Sequence, residues 1–400
     1  MTPVEAPFQP KEMRSQRPSF RRLALLGATG SVGRQVCDLV ERHPDRFALH
    51  AAISGSDGAA LEALARRHPG CHAVLADPTS GNRQDAARRV DDLVRDPEVD
   101  LVVVAVAGSA ALAPTLAALE AGKDVALATK EVLVMAGTLV RDRMRTSGSQ
   151  IFPIDSEHSA IWQCLWGEKR EAVRRLVLTG SGGPFLRRPL ETLSSASIAE
   201  ALAHPRWKMG PKITVDSATM MNKGLEIIEA HFLFDVPYAA IDVVVHPESV
   251  VHSMVEFIDG SVKAQLGIPD MHLPIAIALG FPERIDGVTR APDLVGLGKL
   301  TFEPLDPTRF PAVALAREAG EQGGTATAVL NAANEEAVGL FLNGHCRFTE
   351  IIPAVRRALE TAPQAGDASL DGLLAADRWA RSAVRSAIAG VNPMPSKMPA

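Results

Sequence analysis

The sequence lacks clustered cysteines, long apolar runs and an excess of basic residues. Its four cysteines, Cys37, Cys71, Cys164 and Cys346, are widely scattered and form no CxxC pair. This spacing argues against a zinc site or a disulfide framework and favours a reducing, cytoplasmic compartment. The longest apolar run, LVVVAVA at 101–107, is too short to span a bilayer. The net charge of −5 gives no sign of nucleic-acid binding or of attraction to anionic membranes.

The first twenty residues also lack an apolar segment, so we expect no signal peptide there. They contain proline, glutamine and mixed charges, and we expect a disordered extension over 1–20. The remaining chain is ordinary for a globular protein, with 46% hydrophobic and 22% charged residues in a total of 400. That length predicts two or three domains.

Short apolar runs alternate with helical patterns from Arg22 to about residue 154. The runs lie at 23–27, 47–53, 100–107 and 124–128. Because continuous apolar strands joined by helices are typical of a covered parallel sheet, we predict an α/β fold here.

The pattern changes after residue 154. The stretches 241–257 and 261–267 are predicted to form neighbouring antiparallel strands. The stretch 281–311 has proline and glycine without clear periodicity, which is typical of a linker. Beyond Pro311 the helical spacing of Ala, Glu and Arg predicts a small helical domain.

A glycine turn follows the first predicted strand. Gly27, Gly30 and Gly33 form GxxGxxG, which lets backbone amides and a helix N-terminus approach a pyrophosphate. A glycine-rich turn without a ligand is the alternative. No acid follows the second strand, which favours NADP over NAD, although Ser54 and Ser56 could serve either cofactor.

Three polar residues end the predicted strand at 124–128. Thr129, Lys130 and Glu131 follow it directly, at the edge of a parallel sheet where ligands bind. A solvated charge pair at a helix start is the alternative. Further along, LTGSGGPF at 178–185 offers backbone amides and the Ser181 hydroxyl to an anion, or is a glycine turn without a ligand.

The stretch 204–232 carries the densest set of polar residues. In a helix over 217–232, Asn222, Lys223 and Glu226 share one face, opposite a core stripe of Met221, Leu225, Ile228 and Phe232. With Ser217 near the helix start, this face is a candidate phosphate cradle. The alternative is a solvated face with an internal ion pair.

The segment that precedes this helix, HPRWKMGPK at 204–212, is bounded by proline and glycine and contains Trp207. Since a large indole on a flexible loop is costly to expose, the segment is a candidate lid over a ligand. An ordinary packed tryptophan explains it equally well.

Two acids, Asp155 and Glu157, lie in the mostly apolar stretch 154–163. Like charges this close repel each other unless a positive group lies between them or one acid takes a proton. A different metal site is conceivable at His246, Glu248 and His252, which would share one face of a strand.

These motifs, together with ATKE, DSEH, TGSGGPF and VDSATMMNKGLEIIEA in that order, resemble the 1-deoxy-D-xylulose-5-phosphate reductoisomerase family from about residue 22 to 385. The resemblance implies a V-shaped homodimer that binds NADPH, a divalent metal (Mg²⁺, Mn²⁺ or Co²⁺) and a small phosphorylated sugar. It also implies a division of the chain into a disordered extension at 1–20, a Rossmann-like NADPH domain at 21–154, an α+β catalytic domain at 155–285, a linker at 286–311 and a helical domain at 312–390.

The resemblance also implies roles for individual residues. The metal ligands are Asp155, Glu157 and Glu226, so the missing positive charge beside the two acids would be the cation. The other substrate contacts are Lys130, Ser156 and His204, and the phosphate site is Ser181, Ser217, Asn222 and Lys223. The NADPH contacts are Thr29, Gly30, Ser31, Val32, Gly55, Ser56, Asp57, Thr129, Glu131 and Gly210.

Two positions depart from the family pattern. Many relatives carry a basic residue at Ser56 and asparagine at Thr129, so the partner of the NADPH 2′-phosphate is open. The resemblance implies rearrangement and reduction of 1-deoxy-D-xylulose 5-phosphate to 2-C-methyl-D-erythritol 4-phosphate, through retro-aldol cleavage and re-addition before hydride transfer. The alternatives are a metal-independent dehydrogenase and a non-catalytic NADPH sensor.

Overall fold

A computed structural model describes residues 20–76, 83–207, 209–363 and 368–391. The predicted disordered extension therefore lies, except for Phe20, outside the described residues. Within those ranges, no helix is long and apolar enough to cross a membrane.

The strands and helices follow the predicted alternation in the first part of the chain. The strands are β1 (Arg21–Leu26), β2 (Phe47–Ser54), β3 (His72–Leu75), β4 (Leu101–Val104), β5 (Asp124–Leu127), β6 (Ile151–Pro153), β7 (Val173–Gly180), β8 (Ile241–Val245), β9 (Val251–Phe257), β10 (Val262–Leu266) and β11 (Glu303–Pro304). The helices are α1 (Ser31–Arg42), α2 (Gly58–Arg67), α3 (Arg83–Arg95), α4 (Leu112–Glu120), α5 (Glu131–Ser147), α6 (Ser156–Leu165), α7 (Ile198–Ala201), α8 (Pro211–Thr219), α9 (Met221–Phe234), α10 (His272–Gly280), α11 (Leu294–Leu297), α12 (Pro311–Gln322), α13 (Ala326–Leu342), α14 (Ile351–Thr361) and α15 (Leu370–Val391).

The first sheet is parallel and has the strand order β3-β2-β1-β4-β5-β6. Its strands are apolar on both faces because helices cover both sides, as the fully buried run Leu101–Val104 illustrates. The strand order reverses beside β1, and in open α/β sheets ligands bind at the carboxyl ends of strands at this point. The predicted α/β fold is confirmed.

The second sheet is mixed, with the order β10-β9-β7-β8-β11. The predicted antiparallel pairing of 261–267 with the preceding strand is confirmed by β9 and β10. The prediction of one continuous strand over 241–257 is wrong, because β8 ends at Val245 and β9 begins at Val251. The turn between them contains Ser249 with a left-handed φ of 54°, a conformation that ends regular strand geometry.

The C-terminal helices form a layer against the rest of the molecule. Helix α12 packs on α9, and α13 packs on α5 and α8. The stretch between α10 and α12 carries α11 and the short strand β11, which pairs with β8. The proposed domain boundaries stay predictions, but the packing places α9 against both α5 of the first part of the chain and α12 of the helical layer.

Candidate active site

A cleft of about 540 Å³ lies beside the carboxyl ends of β5 and β6. It gathers residues that the sequence places far apart. All of the candidate catalytic and substrate residues line it, namely Lys130, Asp155, Ser156, Glu157, Ser181, His204, Ser217, Asn222, Lys223 and Glu226.

The acids at 155 and 157 lie where β6 ends and α6 begins. Buried β6 is followed by Asp155, which precedes the first helical residue, Ser156. Glu157 is in the first turn of α6, and one of its oxygens accepts a hydrogen bond from Ser156 Oγ at 2.6 Å. Acids at this end of a helix are stabilised by its dipole.

The helix predicted over 217–232 is interrupted, which corrects that prediction. Met220 adopts a left-handed φ of 61°, so Ser217 belongs to α8 and the polar residues beyond it belong to α9. On α9, Asn222 and Lys223 both donate to Glu226, as their spacing predicts. The solvated alternative is excluded, because Lys223 is 5% exposed and Glu226 is fully buried.

Two lysines lie among the three carboxylates. Lys130 Nζ is 2.5 Å from Asp155 Oδ2 and 3.0 Å from Glu226 Oε1. Lys223 Nζ is 2.8 Å from Glu157 Oε1 and 2.5 Å from Glu226 Oε2. In this structure, the ammonium groups of two lysines therefore supply the positive charge expected beside Asp155 and Glu157.

The pKa values of these groups follow from their burial and charges. Burial, followed by the charge of Glu157, raises the pKa of Glu226 to about 7 despite the two lysines. Burial acts against the ammonium form of Lys130, but Asp155 and Glu226 outweigh it and hold the pKa of Lys130 well above its usual value. Burial also opposes ionisation of Glu157, yet Lys223 lowers the pKa of that carboxyl. Lys130 is thus charged at neutral pH, whereas the pKa of Glu226 lies close to neutral pH.

The three carboxylates can also hold a metal ion. Oxygens of Asp155, Glu157 and Glu226 lie within 4.8 Å of one another. An all-oxygen set suits hard cations such as Mg²⁺ or Mn²⁺. The residues present therefore fit a divalent metal, provided that the lysines give way to it.

A second group with metal-compatible spacing consists of Asp155, His158 and Glu229. His158 and Glu229 are buried and do not line the cleft. His158 Nε2 bonds to the backbone oxygen of Glu226 at 3.0 Å, and its Nδ1 faces Glu229 at 3.3 Å. Burial lowers the pKa of His158 to about 4 and raises that of Glu229. We therefore interpret this group as packing between α6 and α9.

The glycine turn at 181–183 joins two parts of the cleft. Ser181 Oγ lies 3.1 Å from His204 Nε2 and accepts from the Gly183 amide at 3.2 Å. A Cβ on Gly183 would lie 2.6 Å from the backbone oxygen of Ser217. Glycine at 183 thus allows the turn to approach Ser217. The hydroxyls of Ser181 and Ser217, together with the nearby Lys223, suit the binding of an anion.

Residues of the candidate lid reach the cleft as well. The backbone amides of Arg206 and Trp207 donate to His204 Nδ1 at 3.2 and 2.9 Å. The Trp207 ring centroid is 6.3 Å from that of His252. Burial, with Lys223 nearby, lowers the pKa of His204 to about 4. Lys208 lies outside the described residues.

The candidate dinucleotide turn is tightly built. A Cβ on Gly27, whose φ is 88°, would lie 2.3 Å from the Ala105 oxygen. Thr29 Oγ1 lies 2.7 Å from Ser54 Oγ, which ties the turn to the end of β2. Arg34 donates to the backbone oxygen of Thr29.

The structure divides the candidate NADPH contacts into two groups. Ser31, Val32 and Gly210 line the cleft. The others lie outside the cleft lining, namely Thr29, Gly30, Gly55, Ser56, Asp57, Thr129 and Glu131. Thr129 Oγ1 donates to the Val106 oxygen at 2.7 Å, and Asp57 accepts from the Ala60 amide at the start of α2.

The prediction that His246, Glu248 and His252 share one face of a strand is wrong, because the chain turns between β8 and β9. His246 is fully buried, and its Nε2 accepts from the amides of Val250 and Val251 at 3.1 Å. Its Nδ1 bonds to the Thr301 oxygen at 2.8 Å. Nδ1 also lies 3.0 Å from Glu248 Oε2. Both ring nitrogens are therefore engaged within the protein, and of the three residues only His252 lines the cleft.

Sequence reasoning missed several residues that line the cleft. Ser249 lies in the turn after β8, and Pro269, Asp270 and Met271 lie between β10 and α10. Only GIPDM at 267–271, a glycine–proline turn with an acid, offered a sequence signal. The left-handed backbone of Ser249 has no such signal, since serine favours no positive φ.

Family models match most of the chain. They are described as 1-deoxy-D-xylulose 5-phosphate reductoisomerase over residues 23–137, its C-terminal domain over 151–234, and the DXP reductoisomerase C-terminal domain over 266–383. The chain belongs to the 1-deoxy-D-xylulose 5-phosphate reductoisomerase family. The resemblance inferred from the motifs is thereby confirmed.

Curated members of the reductoisomerase family align over nearly their whole length. The protein of that name from Pseudomonas paraeruginosa is 48% identical over 381 residues, covering 90% of this chain and 96% of its own. The one from Geobacter metallireducens is 46% identical over 391 residues, covering 92% and 99%.

Solved structures of the family agree with the fold. The Zymomonas mobilis reductoisomerase in complex with NADPH has 40% identity and a TM-score of 0.85, covering 92% of this chain and 99% of its own. A DOX-P reductoisomerase in complex with NADPH, fosmidomycin and magnesium has 40% identity and a TM-score of 0.86, covering 93% and 99%.

Proposed function

We propose that this chain catalyses the NADPH- and divalent-metal-dependent conversion of 1-deoxy-D-xylulose 5-phosphate to 2-C-methyl-D-erythritol 4-phosphate, a step in non-mevalonate isoprenoid precursor synthesis. The observation that carries this proposal is the meeting of Asp155, Glu157 and Glu226 with Lys130 and Lys223 in one cleft. Family membership supports the same activity.

The divalent cation is proposed to bind Asp155, Glu157 and Glu226. When bound, it supplies Lewis-acid stabilisation of the oxygen charge that develops during a carbon-skeleton rearrangement. Lys130 then loses part of its carboxylate pairing, and its ammonium group becomes available to orient and polarise a substrate oxygen. Ser156 and His204 are proposed as further substrate contacts at the two sides of the cleft.

The substrate phosphate is proposed to bind Ser181, Ser217, Asn222 and Lys223. Two hydroxyls, an amide and a buried ammonium group form a charge-assisted donor set for a dianion. His204 has a lowered pKa and is neutral above about pH 5 in the free protein. It can therefore position the Ser181 hydroxyl without adding a fixed charge.

NADPH is proposed to bind at the glycine turn, where Ser31, Val32 and Gly210 of the cleft lining would hold it and it would supply the hydride. Thr29, Gly30, Gly55, Ser56, Asp57, Thr129 and Glu131 are proposed to contact the remainder.

We also propose that two chains form a homodimer through the second sheet. Met254 lies opposite both Val177 and Ala264, so these residues share one sheet face. Leu176 and Val255 point the other way and are fully buried. On the first face, Val262 is 54% exposed, while Arg175 pairs with Asp242 and Glu256. A face that carries apolar side chains and both charges suits a self-complementary two-fold contact.

Met254→Lys is expected to halve the molecular mass measured by light scattering. An unchanged mass would show that the contact lies elsewhere.

The proposed compartment is the cytosol, and the proposed domains are the four segments at 21–154, 155–285, 286–311 and 312–390. All four cysteines are free thiols, which supports a reducing compartment. Limited proteolysis that releases fragments with these ends would support the domain boundaries.

The decisive experiment is an NADPH-oxidation assay with 1-deoxy-D-xylulose 5-phosphate, with and without Mn²⁺. We expect turnover only with the metal. Equal turnover after chelation would favour the metal-independent dehydrogenase. NADPH binding without any turnover would favour the non-catalytic sensor.

A further inference from the structure

One lysine outside the assigned site connects the cofactor side of the cleft to its phosphate side. Lys212 Nζ lies 3.0 Å from Glu131 Oε1 and 2.9 Å from Asp216 Oδ2. Glu131 directly follows Lys130 at the start of α5, and Asp216 directly precedes Ser217 on α8. A single ammonium group thus joins Glu131, a proposed NADPH contact, to the neighbour of Ser217, a proposed phosphate contact.

The Asp216 end of this connection is held in place by the helical layer. Asp216 is 1% exposed, and its other oxygen accepts from Asn334 Nδ2 of α13 at 2.8 Å. Asn334 is itself fully buried. Both Asp216 oxygens have a partner. A movement of the Lys212 ammonium group therefore requires either that α8 moves or that the contact with Glu131 changes.

The three charged groups support one another. Burial opposes the ionised form of Glu131, but Lys212 outweighs it and lowers the pKa of that carboxyl. Burial likewise opposes the charge of Lys212, but Asp216 and Glu131 raise its pKa. Glu131 and Lys212 are therefore ionised at neutral pH. A ligand that contacts Glu131 changes how strongly the Lys212 ammonium group pairs with Glu131 and with Asp216.

We propose that Lys212 is a positioning residue that couples dinucleotide binding at Glu131 to substrate-phosphate binding at Ser217. This inference rests on the proposed function, which assigns those two contacts. Coupling requires that each ligand changes the affinity for the other by the same factor. The Lys212 bridge supplies a structural path for that factor, since it joins Glu131 to Asp216, the residue before Ser217, without passing through the proposed metal ligands.

The test is a binding cycle rather than an activity assay. NADPH affinity is measured by fluorescence titration of the full-length protein with Mg²⁺, in the absence and presence of fosmidomycin, a phosphonate that does not turn over. We expect fosmidomycin to tighten NADPH binding at least fivefold in the wild type and less than twofold in Lys212→Met. Lys212→Arg, which keeps the charge, is expected to retain at least half of the wild-type factor.

Two further variants keep the inference testable. Lys263→Met removes a lysine that pairs with Glu168 outside the cleft and should leave the coupling factor unchanged. Asn334→Ser shortens the donor to Asp216 and should lower the factor at least twofold, which supplies a second measurement if Lys212→Met does not fold. Equal factors in the wild type and Lys212→Met, or an equal loss in Lys263→Met, overturn the inference. Failure of the wild type to bind NADPH or fosmidomycin at all would instead count against the proposed function.

Discussion

The Lys130 ammonium group lies 2.5 Å from Asp155 Oδ2, within the carboxylate set proposed to bind a cation. In the metal-free protein this lysine, with Lys223, neutralises charges that would otherwise repel each other. A divalent ion must therefore compete with two buried ammonium groups. This competition determines whether a variant is expected to bind Mn²⁺ more tightly or more weakly than the wild type.

Removing the lysine should favour the metal while harming catalysis. In Lys130→Met the carboxylates of Asp155 and Glu226 lose a competing cation, so Mn²⁺ should bind more tightly than to the wild type. Turnover should fall by orders of magnitude, because the proposed substrate contact is lost. Isothermal titration with Mn²⁺ and a steady-state assay measure the two effects, and weaker Mn²⁺ binding would contradict the competition.

Neutral replacements of the acids should weaken metal binding but differ in stability. Asp155→Asn leaves buried Lys130 with only Glu226, so we expect a loss of ~1–3 kcal/mol without metal. Glu226→Gln removes a charge that burial already disfavours, because the Glu226 pKa is raised to about 7. Its melting temperature should therefore fall less than that of Asp155→Asn, although Lys130 and Lys223 each lose one of their two acids. Both variants should lose Mn²⁺ binding and turnover while keeping NADPH affinity. Wild-type Mn²⁺ binding in either would refute the proposed ligand set.

Lys223→Ala should weaken recognition of the substrate phosphate. A charge-assisted contact is worth about 1.5–3 kcal/mol, so KM should rise roughly 10- to 150-fold. Arg206→Ala removes another cation of the cleft wall that has no proposed phosphate role, and it is the matched comparison. If KM stays at the wild-type value in Lys223→Ala, the phosphate binds elsewhere.

The glycine turn and the absence of an acid after β2 predict a preference for NADPH over NADH. We expect at least tenfold discrimination, about 1.4 kcal/mol. Arg34 lies at this turn through its bond to Thr29, so Arg34→Gln should reduce the preference if its guanidinium contacts the 2′-phosphate. Arg66→Gln, on the exposed side of α2, is the control with the same charge change. Equal efficiency of the two cofactors with the wild type would remove the basis of this prediction.

Protonation of His204 should contribute to loss of stability in acid. Its pKa is about 4 in the folded protein, lowered by burial, against an ordinary value of 6.5. The unfolded chain therefore binds the proton first, so stability falls as the pH decreases from about 6.5 to 4. His204→Gln should lose less stability than the wild type over this interval in thermal unfolding. Parallel pH profiles for the two proteins would show that His204 does not contribute.

The sequence by itself determined the family, the parallel sheet and many of the polar residues that line the cleft. Apolar runs that alternate with helical spacing predict a covered parallel sheet. The glycine turn after β1 was recognised from its GxxGxxG spacing alone. The i, i+4 spacing of Asn222 and Glu226 also placed their side chains together correctly. These features depend on local periodicity and backbone sterics, which a sequence displays directly.

Only the tertiary structure decided which charges meet. The pairing of Lys130 with Asp155 and Glu226, and that of Lys212 with Glu131, join residues that lie far apart in the chain. The left-handed Met220 and Ser249, which break the predicted helix and strand, likewise depend on how distant elements pack. Contacts of this kind are set by the summed burial of the whole core, and that free energy overrides local propensity at a few positions.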